Sequence, residues 1–81
     1  MPSARDLRAM VASLERNMHR VRSNRGADVD AETRKKSREA LDEDIDDATD
    51  LLRIAKRSGL DASRLIGKVK AAQKLLVKTI L

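Results

Sequence analysis

The densest run of chemistry-bearing side chains in this 81-residue chain is acidic: Asp42, Glu43, Asp44, Asp46, Asp47 and Asp50. Carboxylates this close together are the raw material of a calcium loop, which takes oxygen ligands at positions 1, 3, 5 and 12 and a glycine at 6. A loop opening at Asp42 would put Asp44 and Asp46 in place. It would also put Asp47 at the glycine position and Arg53 where a bidentate carboxylate is needed. Ile45 and Ala48, inside the run, keep helical spacing, so the run reads as a solvated or salt-bridged helix face and no metal is expected. His19 is the only imidazole and there is no cysteine. No serine or acid stands at a spacing that suggests a triad with His19. Gly26, Gly59 and Gly67 are isolated, so there is no glycine-rich phosphate loop. The chain is expected not to be an enzyme, with no catalytic residue and no cofactor.

The basic residues form a second set. Arg20, Arg22, Arg25, Arg34, Lys35, Lys36 and Arg38 gather around one stretch of chain. Such a cluster can contact phosphates or an acidic partner, although Asp28, Asp30 and Glu32 dilute it. Eighteen Lys and Arg against thirteen Asp and Glu give a net charge of +5. The charge is segregated: residues 1–27 carry +4, residues 28–59 carry −3 and residues 60–81 carry +4. An acidic middle segment between two basic ones favours helix pairing through surface ion pairs. With no Phe, Tyr or Trp there is no aromatic platform for stacking bases.

The elements that must position these groups are helices. Leu7, Val11, Leu14, Met18 and Val21 fall on one stripe of a helix; so do Leu41, Ile45, Ala48, Leu52 and Ala55, and Leu65, Val69, Ala72, Leu76 and Ile80. Nothing alternates in the manner of a strand. Ser3 and Asp6 make a capping-box start, Gly26 is placed to end the first helix, and Asp28 or Asp30 to cap the second. Gly59 is placed to end the second helix and Asp61 to cap the third, with Leu60 and Leu65 closing a hydrophobic staple. Helices are predicted at about 4–24, 30–57 and 62–80. Short connections make them antiparallel neighbours, so the fold class is all-α, a three-helix antiparallel bundle forming a single small domain over residues 1–81. Its register sets Val21 against Leu41, Leu14 against Ala48 and Leu7 against Ala55. Helix 3 then returns so that Lys74 and Lys78 join the basic pole. Residues 30–38 hold no large apolar side chain and should project as a solvated helical extension or fray.

Only 22 Leu, Ile, Val and Met are present to build a core, so association is a natural way to bury more surface. Several apolar residues stand outside the stripes. Leu51, Ile54, Ile66, Val77 and Leu81 are the candidate partner interface, and Met10 also flanks its stripe. The alternative is a wide core face, because a middle helix touches two neighbours. Lys70, Lys74 and Lys78 share one face of helix 3, a pattern that can lie on an anionic membrane, but no Trp or Phe anchors it. No apolar run is long enough to span a bilayer, and a cytoplasmic location is expected.

Residues 51–69 carry one further pattern. Ala55, Gly59, Leu60 and Leu65, with Ile54 before the alanine, resemble a bacterial helix-turn-helix. The resemblance implies that Asp61, Ala62, Ser63 and Arg64 open a recognition helix facing base edges and phosphates. Lys68 stands where that family places an apolar residue, and the preceding helix is longer than the family uses. A helical hairpin explains the same residues through ordinary capping. The function expected from the sequence is a non-enzymatic protein–protein interaction module: an adaptor, chaperone-like subunit, inhibitor or assembly component. Its partner is a protein or a second copy. The alternative is a small basic protein, or transcriptional regulator, that binds DNA or RNA through the basic pole or the helix-turn-helix-like segment. Neither a membrane nor a small-molecule substrate is expected.

Overall fold

Each helix begins on a side-chain oxygen supplied by the sequence just before it. α1 (Ala4–Ser23) starts at a complete capping box. The Ser3 backbone N–H donates to Asp6 Oδ2 at 2.8 Å, and the Asp6 N–H donates to Ser3 Oγ at 3.4 Å. α2 (Ala31–Arg57) starts at Asp30, whose Oδ1 accepts from the Thr33 N–H at 2.7 Å. Before α3 (Ser63–Ile80), Asp61 Oδ1 accepts from the Ser63 N–H at 3.1 Å and from the Ser63 hydroxyl. These oxygens satisfy donors that a helix start leaves without partners. The computed structural model describes residues 2–26 and 28–80, with Ile80 described by its backbone only. The helix bounds fall within one residue of those the periodicity predicts.

The ends differ from one another. α2 closes as a Schellman turn: the Leu60 N–H donates to the Ala55 carbonyl at 3.0 Å and the Gly59 N–H to the Lys56 carbonyl at 3.3 Å. Gly59 takes φ +73°, the left-handed conformation that favours glycine. The predicted role of Gly26 is not what the structure shows. α1 stops earlier, at Ser23, with the Asn24 N–H bonded to the Arg20 carbonyl at 3.0 Å, and Gly26 has no left-handed φ.

All three helix pairs are in contact. Arg25, just after α1, shares a concavity with Ala31 and Arg34 at the start of α2, and Ser13 and Asn17, farther back, meet Asp44, farther on, so α1 and α2 run antiparallel. Leu76 of α3 shares a groove with Lys35, Arg38, Glu39 and Asp42 of α2, which makes that pair antiparallel too. Ala4, Leu7, Arg8 and Val11 share a groove with residues 61–65, so α1 and α3 run parallel. The result is an all-α, up-down-up three-helix bundle, 45 Å along its longest axis.

The core follows the stripes closely. Leu7, Val11, Leu14, Met18 and Val21 are buried, as are Leu41, Ile45, Ala48 and Ala55, and Leu65, Val69 and Ala72. Leu52, also on its stripe, is only half-buried, and the side chain of Ile80 lies outside the described residues. Two further departures have physical causes. Leu75, not Leu76, is the buried leucine of the last turns of α3. Leu76 faces α2 at a level where α2 offers Lys35, Arg38, Glu39 and Asp42, whose charged heads turn to water and leave it half-buried. Leu75 lies a heptad after Lys68, on the side of α3 turned to α1. The second departure is Ser37, which is buried one helical step before Leu41. Its hydroxyl donates to the Arg34 carbonyl at 2.8 Å, so burial leaves no polar atom without a partner. The stretch 31–38 is helix, mostly exposed, the first of the two forms its composition allows.

Candidate functional site

The acidic run splits by helix face. Asp42, Glu43, Asp46, Asp47 and Asp50 are exposed on α2. Asp44 is turned inward, where its Oδ2 accepts from Ser13 Oγ at 2.6 Å and from Asn17 Nδ2 at 2.5 Å. That three-residue clasp joins α1 to α2, and sequence reasoning missed it. The signal available was Ser13 and Asn17 at i, i+4 beside the apolar stripe. Among the described residues no group of three or more His, Cys, Asp or Glu is arranged to hold a metal ion. His19 is exposed on α1.

The segregated charge is not neutralised across the bundle in the expected way. Two ion pairs lie within α2, Lys35–Glu39 at 4.0 Å and Arg53–Asp50 at 3.8 Å. The third, Lys68 Nζ to Glu15 Oε1 at 3.0 Å, joins the two basic helices. Hydrogen bonding and charge from Lys68 hold the Glu15 carboxyl below the usual carboxylate range, with Arg64 adding to the effect. Among the described residues no ion pair within 4.0 Å joins α2 to α1 or α3. The acidic outer face of α2 and the basic outer face of α3 are left for the solvent or a partner.

The basic cluster also divides. Arg25, after α1, Arg34 and Arg38 of α2, and Lys78 of α3 line one concavity of about 390 Å³ at the pole of the bundle, with Ala31 and Thr79. Arg34 and Arg38 stand one helical turn apart and are half-buried; Arg25 and Lys78 are exposed. Thr79 is fixed there by donating its hydroxyl to the Leu75 carbonyl at 2.6 Å. Arg20, Arg22 and Lys36 are exposed and lie outside this lining. Lys35 faces the neighbouring α2–α3 groove and pairs with Glu39. Lys74, expected at the pole, instead lines the outer face of α3.

The candidate partner interface is dispersed. Leu51 is half-buried against the core, while Ile54 is 45% exposed on α2. Ile66 and Val77 are 43% and 58% exposed on α3. Eleven residues apart, they share a face within about 20° of rotation and lie about 16 Å from each other along the axis. Val77 lines a second concavity of about 440 Å³ with Lys70, Gln73, Lys74 and Lys78. Leu81 lies outside the described residues. In the helix-turn-helix-like segment, Arg64 and Ala62 line the groove between α3 and α1, and the Asp61 carboxylate is occupied by Ser63. Comparison with family models, curated proteins and solved structures returns no match.

Proposed function

We propose that this chain is a non-enzymatic helical interaction module that docks a protein helix on the outer face of α3. One observation carries the reading. Ile66 and Val77 are exposed on one line of α3, and Lys70, Lys74 and Lys78 stand beside them. An apolar line beside lysines complements an amphipathic helix that has apolar residues on its docking stripe and acids at one edge. The lysines steer encounter and set orientation, and the apolar contact slows dissociation. The outer face of α2, with its exposed acids and Ile54, has that composition, which brings a second copy within the same reading.

The test compares the native chain with the Ile66→Asp/Val77→Asp variant. Both positions are exposed, so the fold should survive, and circular dichroism checks that it does. Light scattering over a range of concentrations measures self-association. Capture from nuclease-treated and untreated lysate measures binding to other proteins. A stoichiometric protein or a second copy, retained after nuclease treatment and lost in the variant, supports the reading. Retention of that partner by the folded variant, or recovery of nucleic acid alone, overturns it.

A further inference from the structure

We propose that the concavity at the pole of the bundle is a binding site for a compact polyphosphate anion. Its walls come from three parts of the chain: Arg25 after α1, Arg34 and Arg38 from α2, and Lys78 from α3. The proposal does not rest on the α3 docking face, although Lys78 lines both concavities.

Charge comes first. Two arginines one turn apart on a helix repel each other, and here an arginine and a lysine from elsewhere converge on them. Among the described residues none of the four has a carboxylate within 4.0 Å. The neighbouring acids stay outside the lining: Glu39 pairs with Lys35, Asp30 accepts from the N–H of Thr33 and feels Arg34 only at a distance, and Asp28 and Glu32 are exposed. Four cations drawn together with no ion-pair partner among the described residues form a site of positive potential, deepened by the concavity that partly screens them from water.

Geometry and size then narrow the ligand. Each guanidinium presents a planar fork that fits two phosphate oxygens, and Lys78 adds a flexible point charge. Half-burial of Arg34 and Arg38 restrains their stems, so less ordering is left to the moment of binding. The volume, about 390 Å³, sits at the small end of ligand sites, which run from about 300 to 1,000 Å³. Ala31 and Thr79 complete the lining, and the chain holds no aromatic residue to stack a base. The site therefore reads phosphate charge and spacing and takes pyrophosphate or triphosphate, either free or as the tail of a nucleotide.

The experiment is a calorimetric titration of the full chain in phosphate-free buffer at moderate salt. The probes are inorganic triphosphate, orthophosphate, a nucleoside triphosphate and a single-stranded oligonucleotide. Triphosphate should saturate at one site and bind at least about tenfold more tightly than orthophosphate. A nucleoside triphosphate that matches inorganic triphosphate shows that the phosphate tail alone is read; one that binds more tightly makes the nucleotide the source of that tail. The Arg25→Gln/Arg34→Gln variant should lose at least about tenfold in triphosphate affinity. Lys78→Gln, a single exposed change that spares the packing, should weaken binding in the same direction. Arg22→Gln/Lys36→Gln removes the same charge outside the lining and should stay within about twofold. Three results overturn the proposal: no saturation by triphosphate, equal losses in the pole and control variants, or an oligonucleotide that binds more tightly than triphosphate and depends on Arg22 and Lys36.

Discussion

The Asp44 carboxylate of α2 holds the Asn17 amide of α1 at 2.5 Å, and the same oxygen accepts the Ser13 hydroxyl at 2.6 Å. This is one of two side-chain polar links between different helices among the described residues; the other is the Glu15–Lys68 ion pair. Hydrogen bonds to an ionised group are worth more than neutral ones, and these are half-buried. Asp44→Ala is therefore expected to cost about 1–3 kcal/mol, well above a surface substitution. A double-mutant cycle with Asn17→Ala, read from urea melts followed by circular dichroism, should give a coupling of about 0.5 kcal/mol or more. Additive single effects would show that the clasp contributes nothing of its own.

Leu75 and Leu76 are adjacent in sequence and differ in burial, which makes them a matched pair. Leu75→Ala should cost about 2–4 kcal/mol, as a buried leucine does. Leu76→Ala should cost visibly less, because that side chain is only half-buried in the α2–α3 groove. Equal losses, or a larger loss at Leu76, would reverse the assignment of the core face at this end of α3.

The glycines give opposite signs. Gly59 has φ +73°, so alanine there should destabilise by about 1–2 kcal/mol even though its Cβ meets nothing within 4 Å. Gly67 lies mid-helix in α3 and is exposed, and a Cβ there also meets open space. Alanine at Gly67 should stabilise by about 0.5–1 kcal/mol. Thermal melts of the two variants are the check, and a shift of the same sign in both would contradict the turn geometry.

Acid should destabilise the bundle. Lys68 holds Glu15 below its ordinary range, donation from Thr33 lowers Asp30, and donation from Ser63 lowers Asp61. In each case the unfolded chain takes up a proton at a higher pH than the folded one. The stabilisation is thus complete above the unfolded carboxylate range near about pH 4 and is lost as pH falls through the lower folded values. Melting temperatures measured from pH 7 down to pH 2.5 should hold to about pH 5 and then drop. Glu15→Gln should shrink that drop, and a melting temperature that rises on acidification would contradict the sign.

Sequence periodicity carried most of the fold, because the apolar spacing and the capping chemistry are local signals. Ser3, Asp30 and Gly59 act where their residue types predict, while Asp61 accepts from Ser63 one residue ahead of the cap position, which Ala62 takes. Less was legible where the outcome depends on what lies opposite. Leu76 loses its place in the core to Leu75 because of four charged side chains on another helix. Ser37 is buried because α2 stays packed there, although its type gives no hint of burial. Seven basic residues close in sequence looked equivalent, yet only Arg25, Arg34 and Arg38 meet around one concavity with Lys78. Which cations converge is decided by helix rotation and by the return of α3, neither of which is written in composition.

The amino-terminal stretch of α2, residues 31–38, buries Ser37 and no large apolar side chain. It extends one wall of the bundle while adding little to what holds the bundle together. Stability and surface chemistry are thereby assigned to different parts of one helix. The apolar residues from Leu41 onward supply the core of α2, while in the first two turns Ser37 alone is buried. Substitutions at the exposed positions of those turns can change charge or specificity with little penalty to the rest of the chain. New recognition properties can therefore be selected, or engineered, at this end without rebuilding the scaffold.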